Sequence, residues 1–171
     1  MEIRSATPKD AAQLTDIYGY YVKNTAVSLE WEVPSLREFK KRIKNTLKNY
    51  PYLVAVQNGK IAGYCYAGAF KPRKSYRKSC EVSIYVEKSS IRQGLGKALY
   101  SALEAELINR GFENLYAFVV SPVVEDEYLT RNSEDFHTHS GYKTVGKFYK
   151  CAKKFNTYYN VICMEKLLTE K

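Results

Sequence analysis

The sequence predicts an α/β or α+β domain, and three observations support this class. Short runs rich in β-branched and aromatic residues alternate with segments whose apolar residues recur at helical spacing. A length of 171 residues favours a single domain, spanning residues 1–171. No linker rich in Pro, Ser or Gly, no repeat and no low-complexity tract divides the chain. The predicted order of elements is βααβββαβαββ.

The first half of the chain is predicted to form four strands and two helices. Thr7 and Pro8 are typical of a helix start, and Ser35 with Glu38 predicts a capping box for a second helix. Asn58-Gly59 is a strong signal for a hairpin between two strands. The predicted strands cover residues 2–5, 52–56, 61–69 and 81–86.

The second half is predicted to form two helices and three strands. A helix over residues 94–110 carries a stripe of leucines and ends before Gly111, a residue suited to the left-handed position after a helix. A short helix over residues 133–140 ends before Gly141. The strands cover residues 115–120, 144–150 and 158–165.

The four cysteines form no Cys-x-x-Cys pair and are interpreted as buried thiols in a reducing compartment. A zinc site built from them with His137 and His139 is disfavoured because the spacing fits no ligand pattern, so no metal is expected. Met1 leads straight into a strand-like segment, and no apolar run approaches the ~18 residues needed to span a bilayer. The protein is therefore expected to be cytoplasmic, without a membrane partner.

The formal net charge is +9, and it is concentrated in two stretches. Residues 71–78 contain five basic residues in eight, and residues 143–154 contain five in twelve. Such a surface indicates either a solvated face or a polyanionic partner, with a nucleic acid, a membrane and a phosphate-rich small molecule as the alternatives.

The most informative segment is VEKSSIRQGLGKAL, residues 86–99. A strand ends, a short turn follows, and RQGLGK, residues 92–97, opens a helix. The helix N-terminus offers unpaired N–H groups, the glycines allow close approach, and Arg92 and Lys97 add charge, so the segment is suited to a pyrophosphate. It is neither a Walker A loop, because Ile91 and Ala98 stand where Gly and Ser or Thr are needed, nor a Rossmann fingerprint, because of Leu99.

This segment resembles the coenzyme A loop of the GNAT acetyltransferases. The resemblance covers nearly the whole chain and is nearest to the phosphinothricin acetyltransferase branch, as segments 52–56, 62–68, 81–86, 110–112, 136–137 and 141–142 indicate. It implies a mixed central sheet with helices on both faces, acetyl-CoA as co-substrate and a homodimer. Two departures are Ile91, where the family usually has Gln or Arg, and a longer loop over residues 121–132, in which Thr130 replaces an Asn.

The resemblance implies that Glu81 is the general base and that His137 assists the leaving thiolate. A surface Glu at a strand start, and a His that only packs or hydrogen-bonds, are the alternatives. The residues implied to bind the cofactor are Ile84, Tyr85 and Val86 through their backbone, the loop Arg92, Gln93, Gly94, Leu95, Gly96 and Lys97, and Asn132.

The acceptor amine is expected to lie between the basic loop and the segment that joins the first two helices. Arg73 or Arg77 would hold a carboxylate or phosphinate, with Tyr76 as a wall. Glu30 or Trp31 would touch the acceptor from the other side, and Tyr128 would line the pocket. A small molecule such as an amino acid, phosphinothricin or methionine sulfoximine is the expected substrate.

Alternatives remain within the enzyme class and outside it. Acetylation of a polyamine is disfavoured because its site should be acidic, whereas this loop is basic; acetylation of a protein N-terminus stays open. A nucleic-acid binder would explain the charge but lacks a recognition motif, so no nucleic acid is expected. A non-catalytic acyl-CoA sensor would keep the loop and dispense with Glu81.

Overall fold

The computed structural model describes residues 1–168 and contains one seven-stranded sheet with four α-helices, in the predicted order. The strands are β1 (Glu2–Ser5), β2 (Tyr52–Gln57), β3 (Lys60–Ala69), β4 (Ser79–Val86), β5 (Asn114–Pro122), β6 (Lys143–Lys154) and β7 (Thr157–Leu167). The helices are α1 (Ala11–Asn24), α2 (Leu36–Thr46), α3 (Leu95–Asn109) and α4 (Asn132–His139). No helix in this part of the chain is long and apolar enough to cross a bilayer.

The strands lie in the order β1-β2-β3-β4-β5-β7-β6. All neighbours are antiparallel except β4 and β5, which run parallel and are joined through the crossover helix α3. The mixed sheet expected from the sequence is therefore confirmed. The one parallel pair divides the sheet into two antiparallel halves.

Apolar side chains pack on both faces of the sheet. Val82, Ile84 and Val86 face α3, whose buried side is formed largely by leucines. Tyr85, on the other face of β4, packs among aromatic residues beneath α1 and α2. Successive side chains of β4 point to opposite faces of the sheet, which places Glu81 and Ser83 on the same face as Tyr85.

The helix starts follow the sequence with two corrections. Residues Pro8–Asp10 form a 3-10 turn before α1 begins. Asp10 accepts hydrogen bonds from the Thr7 backbone and is paired with Arg4, which ties this turn to β1. Ser35 accepts from the backbone N–H of Glu38 at 3.2 Å, but the Glu38 carboxylate lies 3.5 Å from Arg42, so only half of the predicted capping box is confirmed.

Two tight turns join hairpin strands. Asn58 and Gly59, with φ of 49° and 76°, join β2 to β3 as predicted. Phe155 and Asn156, with φ of 48° and 60°, join β6 to β7. Both of these last strands are longer than predicted. Their pairing register shifts between Thr144 and Gly146 and again between Phe148 and Ala152.

The cysteines are free thiols, as expected, but only two of them are fully buried. Cys65 and Cys80 lie in the core, and burial raises the pKa of both thiols. Cys163 is half-buried, and Cys151 is exposed because it lies in the irregular part of β6. The prediction of four buried thiols is therefore wrong for these two positions.

Candidate active site

The site forms where β4 and β5 part. Their parallel pairing covers only Ser79–Glu81 against Asn114–Tyr116, although the strands continue to Val86 and Pro122. Beyond this point the two strands enclose open space instead of a ladder. We refer to this opening as the fork.

Backbone groups of β4 line the fork. The N–H of Glu87 donates to Ala62 in β3 at 2.8 Å, and the alternation of an antiparallel ladder then turns the N–H and C=O of Ile84 and Val86 away from β3. The Tyr85 backbone belongs to the β3 ladder instead, so of the three residues predicted to offer backbone groups only two face the fork. The Val86 carbonyl accepts a hydrogen bond from the Tyr21 hydroxyl, a contact that the sequence did not suggest.

Two adjoining cavities occupy the fork and its mouth. The larger has a volume of about 590 Å³ and runs over the start of α3 between α1 and the loop before α4. The smaller, of about 50 Å³, lies between β4 and β5. Three residues line both cavities and mark their junction: Val27, Ile84 and Ser133.

The N-terminus of α3 opens into the larger cavity. Gly94 caps the helix with φ 77°, a left-handed value that favours glycine, and a Cβ there would face open space. The first backbone hydrogen bond of the helix runs from Ala98 to Gly94, so the N–H groups of Leu95, Gly96 and Lys97 have no partner within the helix. This is the geometry of an anion site at a helix N-terminus.

The charged and polar side chains of the loop have different positions. Arg92 and Lys97 are exposed at the rim of the larger cavity. The Gln93 amide donates to the Ser89 carbonyl at 2.9 Å and stabilises the loop itself. A Cβ on Gly96 would lie 2.8 Å from the Phe136 ring, so this glycine allows α3 and α4 to approach each other. Asn132, at the start of α4, lines the same cavity.

Glu81 is the last residue of β4 that pairs with β5, and it is half-buried. Burial raises the pKa of its carboxyl group, and the nearby Lys71 ammonium partly offsets this effect. The Tyr66 hydroxyl interacts with Ser83 on the same face of the sheet. Burial and, to a smaller extent, the negative charge of Glu81 raise the pKa of Tyr66. A partly desolvated carboxylate beside a polar face is suited to accept a proton from an incoming amine.

An aromatic group and the basic loop border Glu81. Phe70 stacks on Tyr116 with ring centroids 4.1 Å apart, and Phe118 extends the stack. Tyr76 meets Phe70 edge-on at 5.8 Å, while Lys71 lies 5.1 Å above the Phe70 ring. Neither Tyr116 nor Phe118 was predicted, because their proximity to Phe70 depends on the sheet register.

The other predicted acceptor residues lie on the surface. Arg73 and Arg77 are exposed. Trp31 is 70% exposed, and Glu30 is paired with Arg42 at 2.7 Å. Tyr128 lines the larger cavity and stacks on Phe155 at 4.2 Å. Of the predicted acceptor residues only Tyr128 lines one of the two cavities, and the structure does not bring these residues together as a closed pocket.

His137 lies between the smaller cavity and the core and is only 4% exposed. Its Nδ1 is 2.7 Å from the Ser133 carbonyl, which requires a proton on Nδ1, and its Nε2 is 2.9 Å from the Tyr100 hydroxyl. Burial lowers the pKa of this imidazole. Both ring nitrogens are therefore occupied in a neutral ring, which favours the packing alternative over proton donation.

Comparison with known proteins identifies the family. The family profile described as an acetyltransferase (GNAT) domain matches residues 3–163. A phosphinothricin N-acetyltransferase of Streptomyces viridochromogenes is 34% identical over 122 residues, covering 71% of this chain and 67% of the relative. An L-methionine sulfoximine/L-methionine sulfone acetyltransferase of Salmonella typhimurium is 27% identical, covering 99% and 96%.

A solved structure gives the same result. The phosphinothricin acetyltransferase of Sinorhizobium meliloti, a GNAT superfamily protein crystallised with acetyl-CoA, superposes with a TM-score of 0.89 at 29% identity. The match covers 97% of this chain and 87% of that one. The chain therefore belongs to the phosphinothricin acetyltransferase branch of the GNAT superfamily and is an N-acetyltransferase that uses acetyl-CoA.

Proposed function

We propose that this enzyme acetylates the primary amine of a small molecule that carries an anionic group beside that amine. An amino acid, or an analogue such as phosphinothricin or methionine sulfoximine, fits this description. The observation that carries the proposal is Glu81, a half-buried carboxylate at the fork with a basic loop beside it. The activities for which the relatives are named support the same class of acceptor.

The donor side of the site is formed mainly by the backbone. The unpaired N–H groups of Leu95, Gly96 and Lys97, with the charges of Arg92 and Lys97, are suited to hold the pyrophosphate of acetyl-CoA. The backbone of Ile84 and Val86 is oriented to bind the pantetheine arm. Acetyl-CoA supplies an activated acetyl thioester, so this chain needs no nucleophile of its own.

The acceptor side supplies the base. An amine of pKa ~8–10 is mostly protonated at neutral pH, and Glu81 would take its proton directly or through a water. The raised pKa of this carboxyl group brings it nearer to the operating pH and makes it a better base than an exposed carboxylate. The oxyanion that forms on the thioester carbonyl would be stabilised by the Val86 N–H.

The anionic group of the acceptor is proposed to bind the basic loop. Arg73 and Arg77 are exposed in the loop that precedes β4, and Tyr76 packs against Phe70 at the border of that site. From the opposite side, Glu30 and Trp31 would form the outer wall, and Tyr128 lies at the mouth of the larger cavity. Lys71, the cation that acts electrostatically on Glu81, belongs to the same group.

The enzyme is further proposed to act as a homodimer in the cytoplasm. The outer strand β6 and its partner β7 expose five large apolar side chains that a second copy would cover: Val145, Phe148, Tyr149, Tyr158 and Leu167. The four free thiols fit a reducing compartment. Sedimentation equilibrium would test the dimer, and a salt-dependent gel shift with random DNA or RNA would test the expected absence of nucleic-acid binding.

A screen of acetyl-CoA consumption tests the proposed acceptor. The panel contains amino acids, phosphinothricin, methionine sulfoximine, polyamines and short peptides. We expect the highest kcat/KM for an amine with a neighbouring carboxylate or phosphinate. A polyamine as best substrate would contradict the proposal, and a peptide as best substrate would support acetylation of protein N-termini instead.

A further inference from the structure

Lys154 is a buried lysine that the proposed chemistry does not use. It is the last residue of β6 and only 2% exposed. Among residues 1–168, no carboxylate lies within ion-pair distance of its ammonium group. Burial of a charge costs free energy unless the charge is fully hydrogen-bonded, so neighbouring groups must stabilise the Lys154 ammonium.

Three backbone carbonyl oxygens take the place of a counter-ion. The ammonium nitrogen donates to the oxygens of Val22 at 2.7 Å, Thr25 at 2.9 Å and Ser28 at 2.6 Å. An ammonium group has three N–H donors, and all three are used. Val22 lies in the last turn of α1, where carbonyls lack helical partners and a positive charge is favoured.

These contacts fix the segment between α1 and α2, over residues 25–28. The N–H of Ala26 also donates to the Tyr128 carbonyl at 3.0 Å, and the Ser28 hydroxyl is 2.8 Å from the Tyr18 hydroxyl. Lys154 therefore holds the backbone on both sides of Val27.

Val27 connects the segment held by Lys154 to the two cavities at the fork. It lines both the larger cavity and the cavity of about 50 Å³ between β4 and β5. A water needs roughly 10–15 Å³ of such space, so the smaller cavity holds only a few heavy atoms. By that measure the cavity holds about three to five heavy atoms, so it accommodates the acetyl group of acetyl-CoA and leaves a propionyl group at most a close fit.

We propose that Lys154 is a positioning residue that sets acyl-chain selectivity, by holding Val27 as the wall of the smaller cavity. This inference rests on the proposed placement of the thioester at the fork. Without the three hydrogen bonds, residues 25–28 would relax and the cavity would admit a propionyl group. One methylene in a fitted pocket changes selectivity by about 10–200-fold, so the effect is measurable.

The test compares acetyl-CoA with propionyl-CoA in calorimetric titrations of the full chain. Lys154→Met removes the ammonium group and keeps a side chain of similar length. We expect the ratio of the two dissociation constants to move toward propionyl-CoA by about tenfold. The neighbouring Lys153→Met is the matched control, because Lys153 is exposed and its ammonium group lies over the Tyr158 ring. Its ratio should equal that of wild type.

Because the readout is a ratio, it does not depend on the fraction of folded protein. If Lys154→Met cannot be purified folded, Lys154→Gln, which keeps two N–H donors, is measured in the same way and should show a smaller shift. Val27→Ala should relax the selectivity directly, and adding Lys154→Met to it should change little more. An unchanged ratio in the folded Lys154 variant, or a parallel loss of both ligands, would overturn the inference.

The titrations need no acceptor amine, so they separate this inference from the proposed function. If no anionic acceptor is found, the proposed substrate is wrong. The role of Lys154 is still tested, because the ratio of the dissociation constants of acetyl-CoA and propionyl-CoA is measured without an acceptor. Conversely, an enzyme that acetylates amino acids with an unchanged acyl preference in Lys154→Met would retain its proposed function and refute the role of Lys154.

Discussion

The donor and acceptor sides of the fork are built in different ways. The donor side consists of one continuous segment, from the end of β4 to the first turn of α3, and its groups are mostly backbone N–H. The acceptor side combines side chains from four separate segments: the α1–α2 connection, β4, the loop over residues 70–78 and β5. Under the proposed function, the backbone of the donor side would bind the acetyl-CoA, and the side chains of the acceptor side would select the amine.

The largest effect is expected from Glu81→Gln on the acceptor side. General-base catalysis contributes about 10²–10⁴-fold, so kcat should fall by that factor while acetyl-CoA affinity stays nearly unchanged. The deficit should shrink at high pH, where the amine loses its proton unaided. Glu106→Gln, at a partly exposed position on α3, is the control and should keep wild-type kcat. Wild-type kcat in Glu81→Gln at every pH would mean that the base lies elsewhere.

The pH profile sharpens this assignment. A base must be deprotonated, so activity is lost as the pH falls through its pKa, and the raised pKa of Glu81 should place the acidic limb of kcat/KM above the usual range of a Glu. Lys71 lowers this pKa, so Lys71→Met should move the limb to higher pH. If the acidic limb does not move in Lys71→Met, then Glu81 is not the group whose protonation limits activity.

Substitutions on the donor side should instead affect coenzyme binding. Gly96→Val would force α3 away from Phe136, and Gly94→Val would strain a residue at φ 77°. Acetyl-CoA affinity, measured by calorimetry on folded protein, should fall about tenfold or more in each. Gly68→Ala is the control, because a Cβ there meets nothing within 4 Å and its φ is unstrained. Unchanged affinity in both valine variants would refute the helix N-terminus as the anion site.

Substitutions in the basic loop should have a smaller effect. Arg73→Ala and Arg77→Ala remove the proposed partners of the acceptor anion, so the acceptor KM should rise up to about tenfold while the acetyl-CoA KM changes little. Lys74→Ala, in the same exposed loop, is the control. If both constants rise together in Arg73→Ala, the loop contributes to general folding of the site and not to recognition of the acceptor.

The smallest expected effect is that of reductant or chelator on stability. The four cysteines are free, and residues 1–168 contain no cluster of His, Cys, Asp and Glu that would hold a metal. The melting temperature should therefore be the same with dithiothreitol and with EDTA. A fall of several degrees with either reagent would show that the folded protein depends on a disulfide or a bound metal.

The sequence predicted the element order and the position of the α3 loop, because hydrophobic periodicity and glycine placement are local signals. It missed groups that meet only through sheet register, such as Tyr21 on the Val86 carbonyl and Phe70 on Tyr116. It also could not show that His137 has both ring nitrogens occupied, since one partner, Tyr100, is 37 residues away. The burial of Lys154 could not be predicted, because nothing in the sequence distinguishes it from the exposed lysines of the same basic strand.

The irregular stretch of β6 has a consequence for how this protein behaves at high concentration. A twelve-residue edge strand exposes backbone N–H and C=O groups with which a strand of another molecule can pair. Repeated pairing of this kind from molecule to molecule leads to fibres. Here Lys150 adopts φ 47° and its N–H is held by the buried Asn160 side chain, so straight pairing stops near Phe148. This irregular stretch interrupts the straight run of the edge strand, which disfavours repeated addition of further chains at this lysine-rich edge.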